Sequence, residues 1–164
     1  MKKILDRIDY EILGLLQNNA RISNKEIASR VGLAASTCLV RIRLLQRSGV
    51  ISGFHADFDP ASMGVALQAM ISVRLRRHFK PEVDAFRSHA LSLPEVVQLY
   101  HVAGPTDFLL HVWARDSDHL RDLAMTAFTS REEVARIETE LLFEHIRSAK
   151  VPVFIELDDN REGL

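Results

Sequence analysis

The sequence has a single cysteine, Cys38, in 164 residues. That excludes an internal disulfide and a cysteine-built metal cluster. No apolar run approaches the ~20 residues that a membrane-spanning helix needs, so no membrane partner is expected. The opening stretch, MKKILDRIDYEI, has two lysines but no continuous apolar core and no small-residue cleavage site. It does not read as a secretory signal, and the expected compartment is the cytoplasm. No GxGxxG, P-loop or GxSxG is present, and none of the seven histidines forms the i, i+4 pair with a nearby glutamate that a helical zinc site uses. No cofactor and no metal are therefore expected. His101 and His111 flank a turn and could face each other across neighbouring strands, which suits a structural or pH-responsive pair better than a metal site.

A net charge of one sign is also lacking. The total is −1, which on its face argues against nucleic acid. The distribution argues the other way. Residues 1–64 carry nine Lys+Arg against six Asp+Glu, and residues 65–164 carry twelve against sixteen. Between 21 and 49 stand Arg21, Lys25, Arg30, Arg41, Arg43 and Arg47, with Glu26 the lone acid. A local excess of this kind is what phosphate neutralisation requires. A solvated helix face has the same composition, so the spacing has to decide.

Leu5 to Asn18 reads as a helix, with Ile8, Ile12, Leu15 and Leu16 on one face and Asp6 as N-cap. Ser23 and Glu26 have the capping-box spacing and open a second helix with Ile27, Ala28 and Val31 inside. Gly32 ends it and Leu33 follows as an apolar plug. A third helix is expected from about Thr37 to Arg47, capped by Ser36 or a neighbour, with Cys38, Ile42 and Leu45 buried. Two short helices, a glycine turn and the small Ala28 where the helices cross describe a helix-turn-helix. The second helix of such a unit enters the major groove. Ser36, Thr37, Val40 and Arg41 lie off the buried stripe near its N-terminal end and are the expected base readers. Lys25, Arg43 and Arg47 are better placed for phosphate. Cys38 falls on the buried stripe, so it reads as a small core residue rather than a redox sensor.

Val50–Phe58 alternates and reads as a linker strand that Asp59-Pro60 breaks. Beyond it, strands are expected at Ala66–Arg76, Val96–Val102, Phe108–Ala114 and Ile137–Phe143. A fifth, Val151–Leu157, contains Pro152 and belongs at an edge. Helices fall between, one from Pro81 to Pro94 and one capped by Ser117. The order strand-helix-strand-strand-helix-strand is the split βαβ, ferredoxin-like arrangement. The fold class is thus α+β: a winged-helix-like helix-turn-helix domain over 1–50, a linker or hinge over 51–64, and a ferredoxin-like domain over 65–157. Two helices cover one sheet face only. The other carries Met70, Tyr100, Trp113 and leucines, which something must bury. The expected partner is a second copy, giving a homodimer.

LDRIDYEIL, RVGLAASTCLVRIRLL and GVISGFHADFDP together resemble the N-terminal part of the Lrp/AsnC family, the feast/famine transcription regulators. VQLYHVAGPTDFLLHVWA is similar to the strand-turn-strand of that family's regulatory domain, matching at Tyr100, Val102, Gly104, Asp107 and the FLL that follows. The resemblance implies a sequence-specific regulator of double-stranded DNA, assembled as dimers up to octamers and responsive to a small molecule, an amino acid. It implies an effector pocket at a subunit interface built on Gly104, Pro105, Thr106 and Asp107, with Thr139 from the fourth strand. Pro105 departs from the polar residue common there and removes one amide donor. The plain alternative for this loop is a hairpin turn capped by its aspartate. Sirohaem decarboxylases resemble this architecture and represent an enzymatic alternative, but such an enzyme needs no basic recognition helix. A small-molecule sensor with a vestigial DNA domain is the other alternative.

Overall fold

The computed structural model describes residues 5–148 together with 151 and 152. Two compact units separate, the main body of the first ending at Ala56 and the second running from Asp57 to His145.

The first unit is three helices: α1 (Arg7–Asn18), α2 (Asn24–Arg30) and α3 (Ala35–Arg47). Asp6 caps α1 in a full capping box with Asp9, each carboxylate accepting the other residue's amide. Ser23 caps α2 by accepting from the Glu26 amide. Glu26 does not reach back to complete a box; its carboxylate pairs with Arg30 one turn on. Gly32 sits at φ +69° with open space where a Cβ would stand, so backbone conformation and not crowding calls for glycine. The turn closes with the Leu33 amide donating to the Ala28 carbonyl at 2.9 Å. The third helix starts two residues earlier than expected. Ala34 is its N-cap and gives no side-chain bond, which places Ser36 inside the first turn and not at the cap. Asn24 Nδ2 donates to the Ala35 carbonyl at 2.8 Å and ties the starts of α2 and α3 together. Ile12, Ile27, Ala28, Cys38 and Leu45 form the buried core of the unit, and Ile42 is half-buried against it.

No strand forms over Val50–Phe58. A strand exists only where a neighbour completes its ladder, and no ladder partner for this segment occurs among the described residues. A short 3₁₀ turn, Ala61–Met63, ends at Gly64 with φ +79°.

The second unit contains β1 (Leu67–Leu75), α4 (Lys80–Ser92), β2 (Val96–His101), β3 (Phe108–Ala114), α5 (Ser117–Leu123) and β4 (Val134–Leu141). Asp116, one residue before the expected Ser117, caps α5 by accepting from the His119 amide at 2.7 Å. The helix runs on as a π-helical turn, Ala124–Thr129. Sheet order is β2-β3-β1-β4, with every pairing antiparallel. This is the ferredoxin-like arrangement. The expected fifth strand falls largely outside the described residues, and Val151 and Pro152 lie in no strand.

The two-residue period of the strands separates two faces. Ala69, Ile71, Val73 and Leu75 of β1 and Phe108, Leu110, Val112 and Ala114 of β3 pack under the helices. Phe86 of α4 anchors this layer, its ring centroid 4.9 Å from that of Phe108 and 6.2 Å from that of Phe128. Full burial of each such ring stabilises the fold by roughly 1.5–3 kcal/mol. The opposite face carries Gln68, Met70, Ser72 and Arg74 of β1 beside Leu109, His111 and Trp113 of β3. Register keeps His101 and His111 apart. His101 lies opposite Phe108 and stacks on its ring, while His111 lies opposite Gln98 on the other face. His111 is buried there, its Nε2 2.9 Å from Gln68 Oε1 and its ring 4.9 Å from that of His145. Burial, and then the charge of His145, push the His111 imidazole below its ordinary pKa.

Candidate nucleic-acid interface and effector loop

In the first unit, α3 presents its buried stripe inward and a mixed polar and basic surface outward. Ser36, Thr37, Val40, Arg43 and Arg47 are exposed, as is Lys25 on α2. Neither Lys25, Arg43 nor Arg47 enters an ion pair among the described residues. Their charges are free to meet phosphate, whereas the Arg30 charge is engaged by Glu26.

Arg41 behaves differently from the others. Its guanidinium turns toward the start of α1 and lies 2.6 Å from Asp6 Oδ2 and 3.0 Å from Asp9 Oδ1. The Asp9 side chain is 1% exposed. The bond to Asp6 first, then that to Asp9, hold Arg41 charged against the opposing effect of burial. A residue expected to read bases is thus committed within the protein. The pairing spans 35 residues, and nothing in local spacing marks it. Asp6, Asp9 and Asn24 are accordingly the functional residues that sequence reasoning missed: they place α3 rather than touch a target.

Cys38 is buried, and burial pushes its thiol above the ordinary range, with nearby Arg41 opposing. A protonated, inaccessible thiol is a poor nucleophile. Cys38→Ser should leave the peroxide response of DNA binding as in the parent protein; a response abolished by this substitution would mark Cys38 as a sensor.

In the second unit, the hairpin after β2 closes onto the C-terminal end of β1. Gly104 adopts φ +139°, a conformation side chains rarely reach, with open space around it. Arg74 Nη1 donates to the carbonyls of Gly104 and Pro105 at 3.1 and 2.6 Å. Thr106 Oγ1 donates to the Val73 carbonyl at 3.3 Å. Asp107 is buried, and its carboxylate is occupied: Oδ2 accepts the Leu75 amide at 2.7 Å and Oδ1 lies 2.9 Å from His78 Nδ1. The aspartate therefore ties the hairpin to the end of β1. Thr139 does not join this group. It lies opposite Ile71, whose side chain is under the helices, while Arg74 is on the other face. Arg74 and His78, which brace the loop, carried no signal in the sequence.

A helix-turn-helix with exposed cations on its outer helix, joined to a split βαβ unit with a braced glycine hairpin, defines a two-domain DNA-binding regulator. Known proteins agree. The Lrp/AsnC ligand binding domain matches residues 68–152, and a winged helix-turn-helix DNA-binding domain matches residues 5–52. The chain is 46% identical over 145 residues to the HTH-type transcriptional regulator AldR of Mycolicibacterium smegmatis, covering 88% of this chain and 85% of that protein. It is 35% identical to the leucine-responsive regulatory protein of Rhizobium meliloti, over 88% of this chain and 93% of that one. The crystal structure of a Neisseria meningitidis transcriptional regulator in complex with L-Met superposes with a TM-score of 0.79 at 30% identity, covering 88% of this chain and 94% of that one. The chain belongs to the Lrp/AsnC family. It is a DNA-binding transcriptional regulator and not an enzyme, which removes the decarboxylase alternative. No helix among the described residues is long and apolar enough to cross a membrane.

Proposed function

We propose that this regulator acts in the cytoplasm as a homodimer, or as an octamer built from such dimers, and answers to an amino acid. One observation carries the DNA-binding part of the reading: Lys25, Arg43 and Arg47 are exposed, with no ion partner among the described residues, on the unit whose core orients α3. In this reading Arg43, Arg47 and Lys25 meet phosphates, and Ser36, Thr37 and Val40 meet base edges, Val40 suiting a thymine methyl group. Arg41 positions α3 through Asp6 and Asp9 and reads no base. A two-fold dimer presents two such helices to half-sites ~34–36 Å apart, or a multiple of that.

Titration of the intact protein on its promoter-proximal DNA tests this. Arg43→Ala and Arg47→Ala should each weaken binding across all sequences and lower the slope of log K against log salt by about 1. An unchanged slope would remove these residues from the interface.

The open sheet face supports self-association. It bears Met70, Leu109 and Trp113, and the Trp113 indole N–H is buried without an acceptor among the described residues. A second copy supplies apolar cover for this face. Trp113→Lys should convert the dimer to monomer in sedimentation at micromolar concentration, because a buried unpaired ammonium opposes association. A dimeric Trp113→Lys protein would move the interface elsewhere.

The loop Gly104–Asp107 is the proposed effector element. Its support is the positive φ of Gly104, which lets a ligand approach the backbone closely. Here Gly104, Pro105 and Thr106 contribute ligand contacts and Asp107 holds the loop's shape. Thr139 contributes only from another copy in the assembly. Effector binding would then favour one assembly state over another, which is the coupling an allosteric regulator needs.

A further inference from the structure

The open sheet face of the second unit carries a pair of imidazoles. β4 ends at Leu141, and the Leu142 amide then donates to the Gln68 carbonyl at 2.8 Å. The chain leaves the ladder there as a strap, with Phe143 fully exposed, and brings the ring of His145 to 4.9 Å from that of His111. His111 itself is 2% exposed. Its Nε2 meets Gln68 Oε1 at 2.9 Å. That oxygen can only accept, so Nε2 carries the hydrogen and Nδ1 is the atom that takes an arriving proton.

Little on this face compensates such a proton. β1 sets Gln68 and Met70 beside His111, and β2 sets Gln98 opposite it, with the Tyr100 hydroxyl donating to Gln98. On β4, Arg136 and Glu138 pair with each other at 2.6 Å. Glu140 stands opposite Met70, two strand spacings or about 10 Å from His111. Arg74, farther along β1, is held by the hairpin carbonyls, and Glu144 is exposed. The charge that acts on His111 is that of His145, which opposes a second cation. The same face carries the proposed self-association surface, and a two-fold contact sets each patch against its own copy. Protonated imidazoles from both copies would then crowd one enclosed apolar patch, where no water hydrates them. We propose that His111 and His145 form a proton-operated latch, which permits self-association through the open face when neutral and releases it when protonated. This rests on the reading of that face as the dimer surface. In a separated chain the strap can lift and water reaches the pair, whereas the assembled face encloses it. Separated chains therefore bind the proton better. Association is at full strength above the ordinary imidazole value of about 6.5 and is lost as the pH falls below it.

Sedimentation of the full chain at about pH 8 and about pH 5.5, on either side of the histidine range, tests the latch. Trp113 is the chain's single tryptophan and lies two residues from His111 on the same face, so its emission follows the pair. Self-association should weaken by at least about tenfold at the acid end, with far-UV circular dichroism unchanged. His111→Gln keeps a donor for Gln68 Oε1 but cannot become charged, and it should stay associated in acid. His145→Gln, at an exposed position, removes the opposing charge and should move the midpoint of the Trp113 transition to higher pH. A dimer equally tight at both pH values, or a His111→Gln protein that dissociates in acid as the parent does, would overturn the latch and leave the interface reading intact. Loss of helical circular dichroism along with the dimer would make the transition one of unfolding and overturn it too. An unmoved midpoint in His145→Gln would break the pairing on which the latch depends. A monomer at about pH 8 would overturn the interface reading and the latch with it.

Discussion

Arg41→Ala should lower the unfolding free energy of the helical unit by about 3–5 kcal/mol, the range for removing one partner of a buried ion pair. The size follows from what is left behind. Asp9 is almost fully enclosed, and Arg41 lies 3.0 Å from its carboxylate. Without the guanidinium, the enclosed carboxylate loses its charged donor at one oxygen, while the Asp6 amide stays 3.5 Å from the other. Asp6, half exposed, can turn to water and loses little. Thermal or urea unfolding of the intact protein measures the effect. The companion variant Asp9→Ala separates two explanations. If Arg41 acts by pairing with Asp9, the double variant Arg41→Ala, Asp9→Ala should be distinctly more stable than the sum of the single losses implies. Strict additivity would show that the pairing contributes nothing. DNA binding should fall with Arg41→Ala for all sequences alike, because α3 loses its orientation. A selective loss at one base position would return Arg41 to the role of base reader.

Asp107→Ala is the second substitution with a large expected effect. Its carboxylate accepts the buried Leu75 amide at 2.7 Å, and charged hydrogen bonds of this kind contribute about 1.5–3 kcal/mol. Alanine leaves that amide unpaired and frees the hairpin from the end of β1. The second unit should lose stability in that range, and any amino-acid response should go with it. Asp107→Asn keeps one oxygen acceptor for Leu75 and should recover part of the stability. An Asp107→Ala protein of parental stability that has lost only its ligand response would instead make Asp107 a direct ligand contact. The same residue therefore tests whether the loop binds through its carboxylate or merely needs it for shape.

The two residues show how far local pattern reaches. Asp107 was legible as a hairpin aspartate, and its occupation by the Leu75 amide was not, because Leu75 lies 32 residues away. Arg41 was legible as a basic residue off the buried stripe of α3. Its actual direction depends on the entry angle of α1, which no window of eleven residues contains. Thr139 was placed with the effector loop on the strength of a family resemblance alone. Register across β1 puts it on the Ile71 side of the sheet, since one residue along a strand exchanges the faces. The start of α3 also lies outside the local pattern: Ala34 takes the N-cap position without a side-chain bond, and Asn24, eleven residues back, ties the start of α3 to α2.

Sequence alone determined the order of α1–α5 and β1–β4, both domain types, the family and the outward position of Lys25, Arg43 and Arg47. These depend on periodicity, on short-range capping and on composition, all of which act within a few residues along the chain. Tertiary structure decided which charges remain free to act. Arg41 is engaged by Asp6 and Asp9, and Asp107 by Leu75 and His78. Ion pairs and buried hydrogen bonds act between atoms a few ångströms apart in space, and only the fold sets which residues those are.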